Sequence, residues 1–263
     1  MLELYSHPMS PCAQKVRLVL EEKKLEYIKH HVDLQAKANL QPEYLLINPL
    51  GVVPSLVHDG FAVIESSIIC EYLDDYFPEP VLKPGDAYRR SKMRFWMKHV
   101  DNKLHPACGA LQWPLIMRPK LMEKTEIERL ELLEKIPEKP RRERQKRLVK
   151  FGLDAPDVSD AVLMYRNTIL DMEAVLKDHL WVVDNDFSLA DICLAPYFQT
   201  IFQFGWDMIL QDCPKVLDWF NRCRKRLSFE TAIANDFNEE TQKELLAIGA
   251  LAWPKIQSHL QLK

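Results

Sequence analysis

Glycine is scarce in this chain. Seven glycines among 263 residues are too few for the repeated tight turns of an all-β barrel or sandwich, so the shortage points to a largely helical protein. Paired cysteine chemistry is missing as well. No CxxC occurs, and the six cysteines, at positions 12, 70, 108, 193, 213 and 223, have neither zinc-ligand nor disulfide-framework spacing. They read as reduced thiols of a reducing compartment. HExxH, GxSxG and a glycine-rich phosphate loop are all absent, which removes the zinc-peptidase, nucleophile-elbow and P-loop readings. No apolar run approaches the ~18 residues of a membrane span, and the opening MLELYSHP lacks the basic and apolar regions of a leader. A cytoplasmic protein without a membrane partner is expected. The formal net charge of -3 supplies no global field for nucleic acid. The adjacent His30 and His31 point to opposite faces of a strand, so they make no metal pair, and no metal site is expected.

The chain is organised around Asn48 to Leu73, NPLGVVPSLVHDGFAVIESSIICEYL. Pro54 cannot donate to a ladder and holds Val53 extended. Asp59-Gly60 separates the apolar runs SLVH and FAVI, which predicts an antiparallel hairpin. Glu65-Ser66-Ser67 then precedes a periodic run, Ile68, Ile69, Tyr72, Leu73 and Tyr76, which reads as a helix capped by a serine. Free N–H groups at that cap, beside an exposed backbone edge at Val53, suit an amino-acid-like carboxylate. Upstream, Leu2 to Tyr5 and Glu26 to Asp33 read as strands. Between them Ser10-Pro11-Cys12 opens a helix, with serine at the cap, proline at the first position and Val16, Val19 and Leu20 on one buried face. A thiolate at such a helix start is stabilised by the orphan N–H groups and the dipole, so Ser10 and Cys12 are both candidates for thiol chemistry. Strand, helix, strand, then hairpin and helix is the thioredoxin-like order.

Prolines and glycine from Pro78 to Asp86 mark a linker. The expected domains are residues 1–78, a linker over 79–88 and an all-helical domain over 89–263, giving a two-domain α+β fold. From Asp86 to Trp113 apolar positions recur at helical spacing, with His105-Pro106 placed to kink the helix. Residues 114–157 differ in composition, with alternating charges and the basic run KPRRERQKRLVK, and read as a solvated helical insertion. Ser188 and Asp191 form a capping box, so Asp191 is a folding element and not a catalytic carboxylate. Phe198, Phe202, Phe204 and Trp206 form an aromatic cluster, with Trp206 near a loop glycine as its substrate-facing candidate. The tail after Glu230 has room for a helix that acts as a lid or packs on the first domain.

The V-P, hairpin, E-S, helix sequence resembles the glutathione-binding half of the cytosolic glutathione transferases, and the S-L-A-D-I at 188–192 resembles their helical-domain motif. The resemblance implies a cis Pro54, backbone pairing of Val53 with the cysteinyl part of glutathione, and a γ-glutamyl end held by Glu65 and Ser66. It places Gln41 near the glycine end, and Met9, Trp113, Met117 and Trp206 on the substrate side, with Leu115 a further candidate for an apolar wall. Val52 departs from the glutamine or lysine that several classes carry there. The run SHPMSPC resembles both the serine motif of zeta and tau classes and the M-S-x-C motif of glutathione-dependent reductive dehalogenases. The long charged insertion is similar to that of bacterial glutathione-dependent β-aryl etherases. The resemblance therefore implies a homodimeric transferase with glutathione as cosubstrate, attacking an aromatic or aryl-ether electrophile. One alternative moves the chemistry to Cys12, as reductive dehalogenase or thiol transferase. Another is a non-catalytic binding protein with the basic insertion as a docking surface.

Overall fold

The computed structural model describes residues 1–260, so the last three residues of the expected helical domain lie outside the described residues. Four strands, β1 (Leu2–Ser6), β2 (Tyr27–His31), β3 (Ser55–His58) and β4 (Phe61–Ile64), form one sheet in the order β2-β1-β3-β4. The β1–β2 pair is parallel, joined by the crossover helix α1 (Pro11–Glu22), and the other two pairs are antiparallel. Asp59 and Gly60 both take positive φ, +48° and +84°, which is what a two-residue hairpin turn requires. Helices α2 (Pro42–Ile47) and α3 (Ser66–Tyr76) complete the thioredoxin-like half.

The serine cap expected for α3 is a correction. Glu65 occupies the N-cap, with φ 69° and ψ 109°, and no side chain caps the helix. Strand β4 ends at Ile64 and the helix begins at Ser66, so a single residue must make the turn. That backbone is costly for any non-glycine residue, on the order of 1–3 kcal/mol.

Helix α1 also departs from the single apolar face read in its sequence. Nine of its twelve residues are buried, because α3, α10 (Leu189–Gln203) and α12 (Leu227–Ala232) all pack against it. Its charges are therefore paired inside the protein. Arg17 donates to Ser6 Oγ at 2.7 Å and to the Ala232 carbonyl at 2.8 Å, and pairs with Asp236 at 2.8 Å. Lys15, fully buried, pairs with Asp101 at 2.8 Å, and Ser67 donates to the same carboxylate at 2.9 Å. Burial opposes the Lys15 charge, but the surrounding acidic groups, Asp101 among them, raise its pKa above the ordinary value.

After a stretch without helix or strand, α4 (Ala87–His99) runs into a π-helical turn over Val100–Leu104 and then into α5 (His105–Ile116). The proline explains the turn. Pro106 has no N–H and its ring clashes with the carbonyl four residues back, so the backbone widens just before it. This widened turn carries Asp101 to Lys15 and delivers His105 at the start of α5.

The insertion forms α6 (Arg118–Met122), α7 (Glu126–Glu134) and α8 (Lys139–Phe151), with a small core of Leu121, Leu133, Ile136 and Val149 against Trp113. The main core continues through α9 (Pro156–Val175) and α10. Asp191 is fully buried; it accepts from Ser188 N at 3.0 Å, Val182 N at 3.1 Å and Trp219 Nε1 at 2.9 Å. Burial raises its pKa, and those donors oppose the rise. Beyond α11 (Pro214–Arg224) and α12, α13 (Glu239–Leu260) packs mainly on α9 and α10, and none of its described residues lines the cavity between the two halves of the molecule. Gly249 permits that contact: a Cβ there would lie 1.9 Å from the Phe204 carbonyl oxygen. Among the described residues no helix is long and apolar enough to cross a membrane.

Candidate active site

The start of α1 is the chemical centre. Ser10 caps it, its Oγ accepting from Ala13 N at 3.3 Å, and Pro11 supplies the first helical position. The hydroxyl proton is left free to donate. Ser10 opens into a cavity of ≈ 260 Å³ between the two halves of the molecule. Met9 and Val53 line it from the sheet side, and Trp113 and Met117 from α5 and its end.

Val53 is prepared for an extended partner. Its own N–H and carbonyl make no hydrogen bond among the described residues, and the Val53–Pro54 peptide is cis. Tyr44 and Asn48 fix the loop from behind, donating to the Val52 carbonyl at 2.6 Å and 2.9 Å. Val52 itself also lines the cavity. Beyond β4, the uncapped first turn of α3 offers its N–H groups, with Ser66 buried and Glu65 exposed.

Cys12 lies in the first turn of α1 and is not among the residues that line the cavity, although one of its two partners, His105, is. Its Sγ is 3.3 Å from His105 Nδ1 and 3.4 Å from the Tyr197 hydroxyl. Burial by itself would raise the thiol's pKa, yet the His105 and Lys15 charges and the hydrogen bonds from His105 and Tyr197 bring it down to about 6. The same pairing raises His105. Cys12 is half-buried and the other five cysteines are buried, so one reactive thiolate stands out. Sequence reading missed His105 and Tyr197 as its partners, because they stand 93 and 185 residues away and only the fold brings them near.

Several expected site residues fall elsewhere. Trp206 is 2% exposed, stacked on Phe204 with Nε1 donating to the Gly249 carbonyl at 2.9 Å; the loop glycine turns it into the core, away from the substrate side. Gln41 is exposed at the start of α2, and Lys37, Asn39 and Leu40 line the cavity in its stead. Leu115 packs on the main core, whereas its neighbour Ile116 reaches the cavity. The insertion, read as solvated, sends Ile136, Arg141, Arg144 and Gln145 into the cavity wall. No group of three or more His, Cys, Asp or Glu is placed to hold a metal among the described residues.

Fold and site together define a two-domain thiol-handling protein, with a thioredoxin-like half that presents a helix start and a helical half that closes over it. The glutathione S-transferase N-terminal domain matches residues 9–75 and the glutathione S-transferase C-terminal domain matches residues 157–226. Protein LigF of Sphingobium sp. strain SYK-6 is 30% identical over 251 residues, covering 93% of this chain and 96% of that protein. Glutathione S-transferase 1 of Dianthus caryophyllus is 30% identical over 210 residues, covering 79% and 80%. The crystal structure of beta-etherase LigF superposes with a TM-score of 0.80 at 26% identity, covering 88% of this chain and 98% of that one. The chain belongs to the glutathione S-transferase family, and it is an enzyme whose cosubstrate is glutathione.

Proposed function

We propose that Ser10 activates the glutathione thiol and that the resulting thiolate cleaves a β-aryl ether or attacks a related aromatic electrophile. One observation carries this reading: Ser10 and Val53 line one cavity with the Trp113 and Met117 wall, whereas Cys12 does not line it and is engaged by Tyr197 and by His105, itself a lining residue. Glutathione's cysteinyl backbone pairs with the free N–H and carbonyl of Val53 beside Pro54. Its γ-glutamyl end sits at the start of α3 with Glu65 and Ser66. The sulfur then lies at the N-terminus of α1, where the Ser10 hydroxyl donates to it and the helix dipole favours negative charge. The thiolate forms a C–S bond to the substrate carbon, the C–O bond breaks, and its electron pair leaves on a phenolate that takes a proton from water. The similarity to LigF supports the choice of an ether.

Turnover of a fluorogenic β-aryl ether with glutathione tests the reading. Cleavage is expected to survive Cys12→Ser and to fall with Ser10→Ala; the reverse pattern overturns it. The low pKa of Cys12 favours a second reading, in which its thiolate attacks glutathione disulfide, forms the mixed disulfide and releases glutathione. That thiol-transferase activity, like a reductive dehalogenation through Cys12, is lost in Cys12→Ser. Exposed Phe61, Ile68, Tyr88 and Phe95 along β4, α3 and α4 support a homodimer, which sedimentation equilibrium measures directly. The six unpaired thiols suit the cytoplasm.

A further inference from the structure

The cavity carries a charge imbalance that the proposed chemistry does not use. Lys37, Arg141 and Arg144 all line it, and no Asp or Glu does. The two arginines come from α8, three residues apart and therefore on one face. Three other cations of that helix are paired, Arg142 and Lys146 with Glu134, Lys146 at 2.6 Å, and Arg147 in a two-point bridge to Asp157 at 2.7 Å and 2.8 Å, while Lys139 and Lys150 are exposed to solvent. The cavity-facing pair is neither. Arg144 makes no hydrogen bond or ion pair among the described residues, and the Nε of Arg141 is buried without a partner, its only bond being to the Leu50 carbonyl at 3.1 Å. Lys37 lies 5.8 Å over the Trp113 ring. Burial lowers all three cations below their ordinary values, with Arg141 adding to the effect on Lys37. The carboxylates that act on the arginines, Glu138 and Asp157, lie outside the cavity, and Asp157 is taken by Arg147. Half-buried cations in a cavity wall have lost part of their hydration, and an anion that joins them offsets that loss.

We propose that Arg144 and Arg141 form a specificity site for a carboxylate carried by the aromatic electrophile. A planar guanidinium takes a carboxylate through two parallel hydrogen bonds, and the adjacent apolar wall of Trp113, Ile116, Met117 and Ile136 takes the ring. The enzyme is then selective for aromatic acids over neutral aromatics of the same shape. This rests on the placement of the electrophile in the cavity under the proposed transferase reading.

Phenoxyacetate and its neutral isostere phenoxyacetamide test it by calorimetric titration of the whole protein, with glutathione titrated separately. Wild type is expected to bind phenoxyacetate about tenfold or more tightly than the amide, the span of a charge-assisted hydrogen bond. Arg144→Gln abolishes the preference, while Lys150→Gln, at an exposed lysine near the end of the same helix, leaves it intact. Because Arg144 makes no hydrogen bond or ion pair among the described residues, its variant keeps the wild-type melting temperature. Equal affinity for the two probes in wild type overturns the proposal. So does an equal loss in Lys150→Gln, which marks a general field, or a tenfold loss of glutathione affinity in Arg144→Gln, which assigns the arginines to glutathione's own carboxylate. Failure of wild type to bind glutathione with the probe preference retained overturns the transferase reading alone.

Discussion

Replacing His105 with glutamine removes the first of the effects that hold Cys12 at about 6 and leaves the Lys15 charge and the Tyr197 hydrogen bond to oppose burial. The thiol then rises toward the ordinary value of ~8.5. At pH 7 a thiol of pKa 6 is about nine-tenths thiolate, and one near 8.5 only about 3%. Intrinsic nucleophilicity rises with pKa and offsets much of that difference, so the midpoint, not the rate at one pH, is the readout. The assay is the pH dependence of alkylation by iodoacetamide, with mass-spectrometric assignment of the modified residue. Cys12 is the single half-buried thiol, so it dominates the fast phase. The sign follows from the acid: its folded pKa is depressed, so the reactive form is present above pH ~6 and is lost as pH falls through that value. His105, raised by the thiolate, stays charged above its usual range and keeps the pair together there. A wild-type midpoint near 8.5, or one that His105→Gln leaves unmoved, refutes the pairing.

Two predictions concern the frame around the site. Gly249→Ala drives a Cβ into the Phe204 carbonyl and forces α13 away, costing about 1–3 kcal/mol or more and lowering the melting temperature by several degrees, which differential scanning calorimetry reads. Asp191→Ala removes the N3 half of the α10 capping box and the partner of Trp219 together, and is expected to cost about 3 kcal/mol in urea denaturation, with unchanged turnover per folded molecule. A loss of turnover at full stability in that variant contradicts the structural assignment of the aspartate.

Punctuation made much of the thioredoxin-like half legible from sequence alone. Pro54, Asp59-Gly60 and the Ser10-Pro11 start each restrict the backbone locally, and the structure shows the hairpin and helix at those positions. The Ser188 and Asp191 box was readable for the same reason. What depended on neighbours was not. Lys15 and Arg17 look like the wet side of an amphipathic helix until the second domain covers them. Arg141 and Arg144 sit in a run that reads as solvated, and only the folding of α8 over the cavity separates them from the paired cations beside them. Trp206 beside a glycine suggested an exposed loop, but the close approach of Gly249 to Phe204 seals it in. His105 was visible only as half of a proline kink, since its role depends on a thiol far away in the chain.

The central claim is that Ser10, not Cys12, activates the sulfur of glutathione, and its most direct test is a pH titration of the bound thiolate by ultraviolet difference absorbance. Wild type is expected to show the thiolate well below the ~8.5 of a free thiol. Ser10→Ala is expected to raise that midpoint by about one unit or more, the worth of a hydrogen bond to a charged acceptor, while Cys12→Ser leaves it in place. A midpoint unmoved by Ser10→Ala, or abolished by Cys12→Ser, contradicts the account.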